Sequence, residues 1–294
     1  MSSAPSAPPA LPPGLDLADL ERVACTVARE AGRLVLEDRP RRLGTSSKST
    51  RTDVVTEMDQ RSQELLLDRL GALRPDDGVL GEEEGGRTGT SGVTWVIDPI
   101  DGTINYLYDA AEYAVSVAAV VGDPARPGAW RPVAAAVLGP PSAELFHAHL
   151  GGGARLTTPG GSRVLRANPV TDLGLSLVGT GFGYDAALRE RQARALVELL
   201  PRVRDVRRHG SAALDLCAVA CGRLDGYYET GLNAWDRAGG ELVATEAGAL
   251  VGGEVGGVTT RDLTWAAAPG VAEELAALVR ELSARHVGSV GDPA

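Results

Sequence analysis

The sequence predicts an α/β protein, built in layers with helices covering sheets. Three observations predict it. Helical periodicity opens the chain, short apolar runs then follow at the spacing of an antiparallel meander, and from about residue 175 strands and helices alternate.

The elements follow in order. Leu17, Leu20, Val23, Ala24, Val27, Ala31, Leu34 and Val35 recur at helical spacing over 15–39, and Pro40 marks the stop. Residues 46–55, SSKSTRTDVV, begin polar and turn strand-like. Thr56, with Asp59 three positions on, has the form of a capping box for a helix over 57–72. Residues 81–86, Gly-Glu-Glu-Glu-Gly-Gly, read as an acidic loop. Strands are expected at 93–98, 113–121, 131–138 and 143–150, the last three as a meander. The glycine-rich stretch 151–161 reads as a turn region and as the boundary between two halves. Strands at 175–180, 203–207, 224–229 and 263–268 then alternate with helices at 185–200, 211–222, 235–248 and 271–284.

A chain of 294 residues accommodates one large domain or two medium ones. The division expected is a Pro/Ala-rich disordered tail at 1–14, one unit over 15–285 with halves at about 15–160 and 161–285, and a loose end at 286–294. Aromatic residues make up only 4%, so the core is built mainly from Ala, Val and Leu. A net charge of -10 opposes non-specific nucleic-acid binding, yet permits anion binding if metal ions supply local positive charge. The three cysteines, Cys25, Cys217 and Cys221, form no disulfide framework; the last two, four apart, read as buried small side chains. The start has no basic segment followed by an apolar one, and no run is long enough for a membrane helix, so the expected location is the cytoplasm. Of 29 basic residues one is lysine, Lys48.

The segment that carries chemistry is Trp95 to Tyr106, WVIDPIDGTINY. A strand ends in two acids, Asp98 and Asp101, with Pro99 and Ile100 between and Gly102-Thr103 after. Pro99 fixes one φ angle and restricts its predecessor, which can hold both acids in a tight turn. Gly102-Thr103 then opens a helical turn whose free N–H groups form an anion seat. Other acids stand where elements begin or end: Asp59, Glu82, Glu229 and Asp236. None has a basic partner nearby in sequence, and such a cluster repels itself unless cations sit within it. Oxygen ligands without Cys or His select Mg2+, Mn2+ or Ca2+, and the calcium-loop pattern is absent, so Mg2+ is preferred. Each acid also has a plainer reading: Asp98, Asp101 and Asp236 as turn or N-cap residues, Asp59 as a helix cap, Glu82 in a solvated loop, Glu229 at an exposed strand end.

Taken together, these segments resemble the inositol monophosphatase family of Mg2+-dependent, lithium-sensitive phosphatases. The motifs in order are Asp53-Val-Val-Thr-Glu-Met-Asp59, Gly81-Glu82-Glu83, Trp95 to Asn105, Gly210-Ser211-Ala212-Ala213, and Tyr228 to Asp236 running into Arg237-Ala238-Gly239-Gly240. The resemblance covers about residues 17–282. It implies the αβαβα sandwich of the inositol monophosphatase/fructose-bisphosphatase type and two to three Mg2+ ions, with Mn2+ as a substitute. Metal one would be held by Glu82, Asp98 and the Ile100 carbonyl; metal two by Asp98, Asp101 and Asp236; a third would lean on Glu82. Thr103, hydrogen-bonded to Asp59, would orient the attacking water, and the Gly102 and Thr103 amides would hold the phosphate. Gly210, Ser211, Ala212 and Glu229 would line the alcohol side, with Asp236 also reaching the substrate. Lys48 matches a family lysine on the loop before Asp53. The four histidines, His147, His149, His209 and His286, sit away from these motifs in sequence.

The reaction implied is hydrolysis of a small phosphate monoester by in-line attack of water. Inositol 1-phosphate is the first expectation. Histidinol phosphate is the alternative, since Glu229 would also suit a cationic amino-alcohol, and fructose 1,6-bisphosphate is a further one. A homodimer is implied by the resemblance alone, with neither nucleic acid nor membrane as partner. A binding protein that keeps the fold without catalysis is the reading from another class.

Overall fold

The computed structural model describes residues 9–41, 43–48, 54–254 and 257–290. Asp53, first residue of the first motif, lies outside them, as do 1–8 and 291–294 of the two expected tails. The chain opens with α1 (Leu17–Glu37), capped by Asp16, whose carboxylate accepts from the Asp19 amide at 3.0 Å. A short hairpin follows, β1 (Thr45–Ser47) and β2 (Val54–Thr56), then α2 (Glu57–Leu73). Next come β3 (Gly78–Gly81), β4 (Val93–Asp101), the one-turn α3 (Thr103–Leu107), β5 (Ala114–Gly122), β6 (Trp130–Gly139), β7 (Glu144–His149), β8 (Gly153–Thr158) and β9 (Gly161–Val164). The rest comprises β10 (Leu177–Thr180), α4 (Ala186–Leu199), β11 (Asp205–Arg207), α5 (Ala212–Ala220), β12 (Gly226–Glu229), α6 (Ala234–Glu246), β13 (Leu250–Gly252), β14 (Thr264–Ala267) and α7 (Ala272–Leu282).

Strands β3 to β9 form a seven-stranded sheet in sequence order, with β3 parallel to β4 and every other neighbour antiparallel. The second sheet has five strands in the order β11-β10-β12-β14-β13, with β10 parallel to both its neighbours. Side chains alternate across the first sheet as a two-residue period requires. Trp95 and Ile97 of β4 pack with α1 and α2, whereas Val96 packs with α5 and α6. α5 and α6 lie between the sheets, since their cluster also holds Tyr227 of β12 and Ala266 of β14. The outer face of the second sheet is covered by α4 and α7. The layers therefore run helix, sheet, helix, sheet, helix. Small residues make this possible: Ala118, Ala119 and Ala134 to Ala136 are fully buried in β5 and β6 and let helices approach both faces.

Four expectations are corrected. The glycine-rich stretch 151–161 is no boundary but holds the hairpin β8–β9, and the first sheet continues to Val164. Gly151, Gly153 and Gly161 have positive φ, so glycines supply the turns of added strands and do not end the half. Strand β3 precedes the acidic loop, and β13 adds an edge to the second sheet; each has at most four residues, too few for alternation to register. Residues 286–290, expected to be loose, are tied down: a π-helical turn spans Ser283–Val287, His286 bonds Glu198, and the Val290 amide donates to Asp262 at 2.7 Å. Of the Pro-rich start, residues 9–14 run beside the first sheet, with Pro12 against Gly92 and Pro9 against Gly122.

Candidate metal centre

β4 is interrupted where the chemistry requires it. Asp98 pairs with Ser116 and Asp101 with Ala114, so β4 advances three residues while β5 advances two. Such a bulge bends the strand and re-aims its side chains. Pro99 has no N–H to add to the ladder, and its carbonyl accepts from Ser62 Oγ at 3.1 Å. The Ile100 amide donates to Asp98 Oδ1 at 3.0 Å, which fixes that carboxylate. The result is that ligand atoms of Asp98, Asp101 and Asp236 all lie within 4.8 Å of one another. Asp236 comes from the first turn of α6, where its side chain accepts from the Asn233 amide at 2.6 Å. It is thus the third residue of a capping box whose N-cap is Asn233, and not the N-cap itself.

Burial is nearly complete, with Asp98 1% and Asp101 8% exposed. Desolvation therefore pushes the Asp98 carboxyl well above the usual range, and the charges of Glu82, Asp101, Asp236 and Asp59 push it further. Asp101 rises from 3.8 to about 7, mainly through burial, although Ser211 and the Ala213 amide donate to it at 2.6 and 2.7 Å. Asp236 rises well above its ordinary value through burial and the charges of Glu82 and Asp101. Three packed carboxylates whose charged state is so unfavourable without a counter-charge fit a divalent cation with oxygen ligands. The Ile100 carbonyl lies 3.1 Å from Thr103 Oγ1, as an alternative acceptor to Asp59 for that single hydroxyl proton, and keeps a lone pair available as a ligand. Ser116, opposite Asp98, is the single polar residue of the buried run in β5, and its buried hydroxyl has no partner among the described residues.

A measurable sign follows for the metal-free protein. Asp101 holds a proton when folded at a pH where the unfolded chain has lost it. Its contribution to stability is present below about 4 and is lost as pH rises towards about 7. Mg2+ should reverse this, adding about 2.7 kcal/mol at a hundred times its Kd. Thermal melts from pH 4 to 8 with EDTA and with Mg2+ check both. Metal-free melting that rises steadily over that range, with no response to Mg2+, would contradict the assignment.

Thr103 and Asp59, the two residues expected to orient water, are hydrogen-bonded to each other. Thr103 Oγ1 donates to Asp59 Oδ1 at 3.1 Å. Asp59 also accepts from the Thr56 amide at 2.8 Å and from Thr56 Oγ1, so the capping reading of Asp59 is observed together with its contact to Thr103. Burial first, then the Glu82 charge, raise its pKa to about 6 against these bonds. Gly102 precedes Thr103 with φ of +95°, and a methyl group on it would stand 3.0 and 3.1 Å from the Glu112 and Gly210 carbonyls. Only glycine lets those backbones converge there.

Glu82 is close but differently engaged. It has no basic partner nearby in sequence, as expected, but the fold brings one from a distance: Lys48 Nζ lies 2.8 Å from Glu82 Oε1 and also pairs with Glu83. These residues are thirty-four apart in sequence, beyond any local pattern. Gly81 has a separate reason, since any side chain there would overlap Gln63, whose amide donates to the Glu83 carbonyl at 2.6 Å.

On the alcohol side, Glu229 ends β12, is half-buried, and accepts from Tyr227 Oη; desolvation raises its pKa to about 7. Gly181 leaves room for that carboxylate, and a side chain there would overlap it. Ser211, expected on the alcohol side, caps α5 and donates to Asp101. Gly210 and Ala212 flank it, and Gly210 abuts Gly102. The reading of all four histidines as remote is corrected for one. His209 Nδ1 pairs with Asp215 at 2.5 Å, and its carbonyl accepts from Asn105 Nδ2 at 2.7 Å, which joins α3 to the Gly210 loop. The bond to Asp215 raises the His209 pKa. His147 and His149 meet Glu21 on the far face of the first sheet. Cys217 is fully buried and Cys221 partly so, as small apolar side chains would be.

Comparison with known proteins agrees with this geometry. The family model described as "Inositol monophosphatase family" matches residues 16–287. The chain is 45% identical to the inositol-1-monophosphatase of Mycobacterium bovis, over 92% of this chain and 97% of the relative. It is 38% identical to the protein named Nus factor SuhB of Pasteurella multocida, covering 86% and 92%. The solved structure of Mycobacterium tuberculosis SuhB superposes with a TM-score of 0.76 at 43% identity, covering 91% and 98%. With acids of two motifs within 4.8 Å of one another, those of two more near enough for their charge to act on Asp98, and this breadth of likeness, the chain belongs to the inositol monophosphatase family of metal-dependent phosphatases.

Proposed function

We propose that the chain hydrolyses inositol 1-phosphate to inositol and phosphate by in-line attack of water, with two to three Mg2+ ions. The observation that carries the reading is the Thr103–Asp59 hydrogen bond standing beside the Asp98, Asp101 and Asp236 cluster. Glu82, Asp98 and the Ile100 carbonyl would hold one ion, Asp98, Asp101 and Asp236 a second, and Glu82 a third. When bound, the ions acidify water and neutralise charge on the departing oxygen. Thr103 orients the water and relays its proton toward Asp59, which is held as acceptor by Thr56. The Gly102 and Thr103 amides, at the start of α3, face the phosphate oxygens. Glu229, anchored by Tyr227, accepts hydroxyls of the leaving polyol beside Gly210 and Ala212. Ser211 positions Asp101.

Parallel turnover of inositol 1-phosphate, histidinol phosphate and fructose 1,6-bisphosphate with Mg2+ tests the choice. Inositol 1-phosphate should be hydrolysed, with inhibition by millimolar lithium. A preference of about tenfold or more for histidinol phosphate would replace the polyol by an amino-alcohol. We further propose a cytoplasmic homodimer with neither nucleic acid nor membrane as partner. In support, the net charge is -10, and no helix among the described residues is long and apolar enough to cross a membrane. Sedimentation at micromolar concentration reads the oligomeric state.

A further inference from the structure

We infer that Arg39 is a positioning residue for the hydrolytic step: it grips the far end of α3 and so holds Gly102 and Thr103 in place. This rests on the phosphatase reading above and deepens it, since that reading gives both residues their work. The helix α3 needs holding. It has five residues, and a single turn fixes many dihedrals for few hydrogen bonds, so it does not persist by itself. No side chain caps its start. Support comes from other elements. Asn105 Nδ2 donates to the carbonyls of Glu112 and His209 at 2.6 and 2.7 Å, and Tyr106 Oη donates to the Val35 carbonyl at 2.8 Å. Arg39, two residues beyond α1, adds a charged grip. Its Nη2 donates to the Tyr106 carbonyl at 2.9 Å, across 67 positions of sequence. Its guanidinium lies over the Tyr106 ring, 5.2 Å from the centroid, and Nη1 is 3.4 Å from Asp109.

The grip reaches the site through one turn of backbone. The Tyr106 amide donates to the Gly102 carbonyl at 3.0 Å, while the Tyr106 carbonyl accepts from Arg39. Carbonyls at the end of a helix carry partial negative charge, which a cation satisfies. The Thr103 hydroxyl stands on the same turn, 3.1 Å from Asp59. A slip of α3 would therefore move the two amides and the hydroxyl together. Stability alone explains Arg39 poorly. Its Nε is buried with no partner among the described residues, a cost that an apolar side chain over Tyr106 would avoid. The pair with Asp109 contributes little, because that carboxylate is 82% exposed.

The test compares the wild type with Arg39→Met and Arg39→Lys, using whichever of the three esters above the wild type hydrolyses fastest. Arg69→Gln serves as control, since Arg69 of α2 pairs with Glu30 of α1 at 2.6 Å. Three readouts are taken: kcat and KM, inhibition by inorganic phosphate, and the rise in melting temperature caused by Mg2+. Arg39→Met should lower kcat about tenfold and weaken inorganic phosphate by a similar factor, as a small misplacement of the reacting groups does. The Mg2+ response should stay as in the wild type, because the acids of β4 and α6 are anchored by their own backbone bonds. Arg39→Lys should recover part of both losses, and Arg69→Gln should show neither. A Met variant within twofold of wild type in kcat and in phosphate inhibition overturns the inference. So does one whose loss is matched by an equal loss of Mg2+ response, which would make Arg39 a general support of the fold. Failure of the wild type to hydrolyse any of the three esters would strike the phosphatase reading itself, and this inference with it.

Discussion

Asp98→Asn should lower kcat/KM by about 10³-fold or more while the metal-free protein melts no lower than wild type. Asn has the same shape, and its Oδ1 can still accept the Ile100 amide. What changes is one negative charge at a point 1% exposed, which Glu82, Asp101, Asp236 and Asp59 all oppose. Removing it relieves that repulsion in the metal-free state and weakens the seat for the ions. Opposite signs for stability and activity distinguish a functional acid from a structural one. The measurement is kcat/KM across a Mg2+ titration together with melting in EDTA. Activity within tenfold of wild type at saturating Mg2+ would remove Asp98 from the centre, and a protein with a purely binding role would show no such divergence.

Thr103→Val should lower kcat by 10²- to 10⁴-fold, the range for loss of a positioned proton-transfer group, with KM changed only a few-fold. Valine keeps the branched shape at a site 8% exposed. It removes the hydroxyl that joins Asp59 Oδ1 and the Ile100 carbonyl at 3.1 Å each. Asp59 retains its bonds from Thr56, so the capping box and α2 should survive and the loss should be chemical. Thr103→Ser, which restores a hydroxyl, should recover most of the rate. Steady-state kinetics of the three proteins decide it. If KM rises in step with the fall of kcat/KM while kcat holds, Thr103 binds phosphate and does not handle the proton.

The parts of this site that local sequence makes visible are those built within one turn or one strand end. The Asp98 to Thr103 step carries its own geometry, because Pro99 and Gly102 restrict the backbone and the acids follow at fixed spacing. The Thr56–Asp59 capping box is a three-residue pattern and was equally visible. Elements missed were short or glycine-rich: β3 and β13 span four residues or fewer, and the β8–β9 hairpin hides among turn glycines. Contacts missed were distant ones. Ser211 meets Asp101 across 110 positions, Asn105 meets the His209 carbonyl across 104, and Lys48 meets Glu82 across 34. No periodicity encodes such pairs; they arise when two layers close on each other. Ser116 left a trace, as the lone hydroxyl in an apolar strand, but a partnerless polar residue in a strand has many plainer explanations.

The two sheets divide the labour unevenly. In the proposed site the bulged end of β4 and the start of α3 would supply the water-orienting group, the phosphate seat and most metal ligands, all from the first sheet. The Gly210 loop and the end of β12 would face the alcohol from the second. Asp236 and Ser211, on the helix layer between them, join the two. A lineage with this plan can alter Gly181 or the surroundings of Glu229 and acquire a new leaving group while the hydrolytic step stays as it was. Chimeras joined between Val164 and Leu177 would then inherit their chemistry from one parent and their appetite from the other.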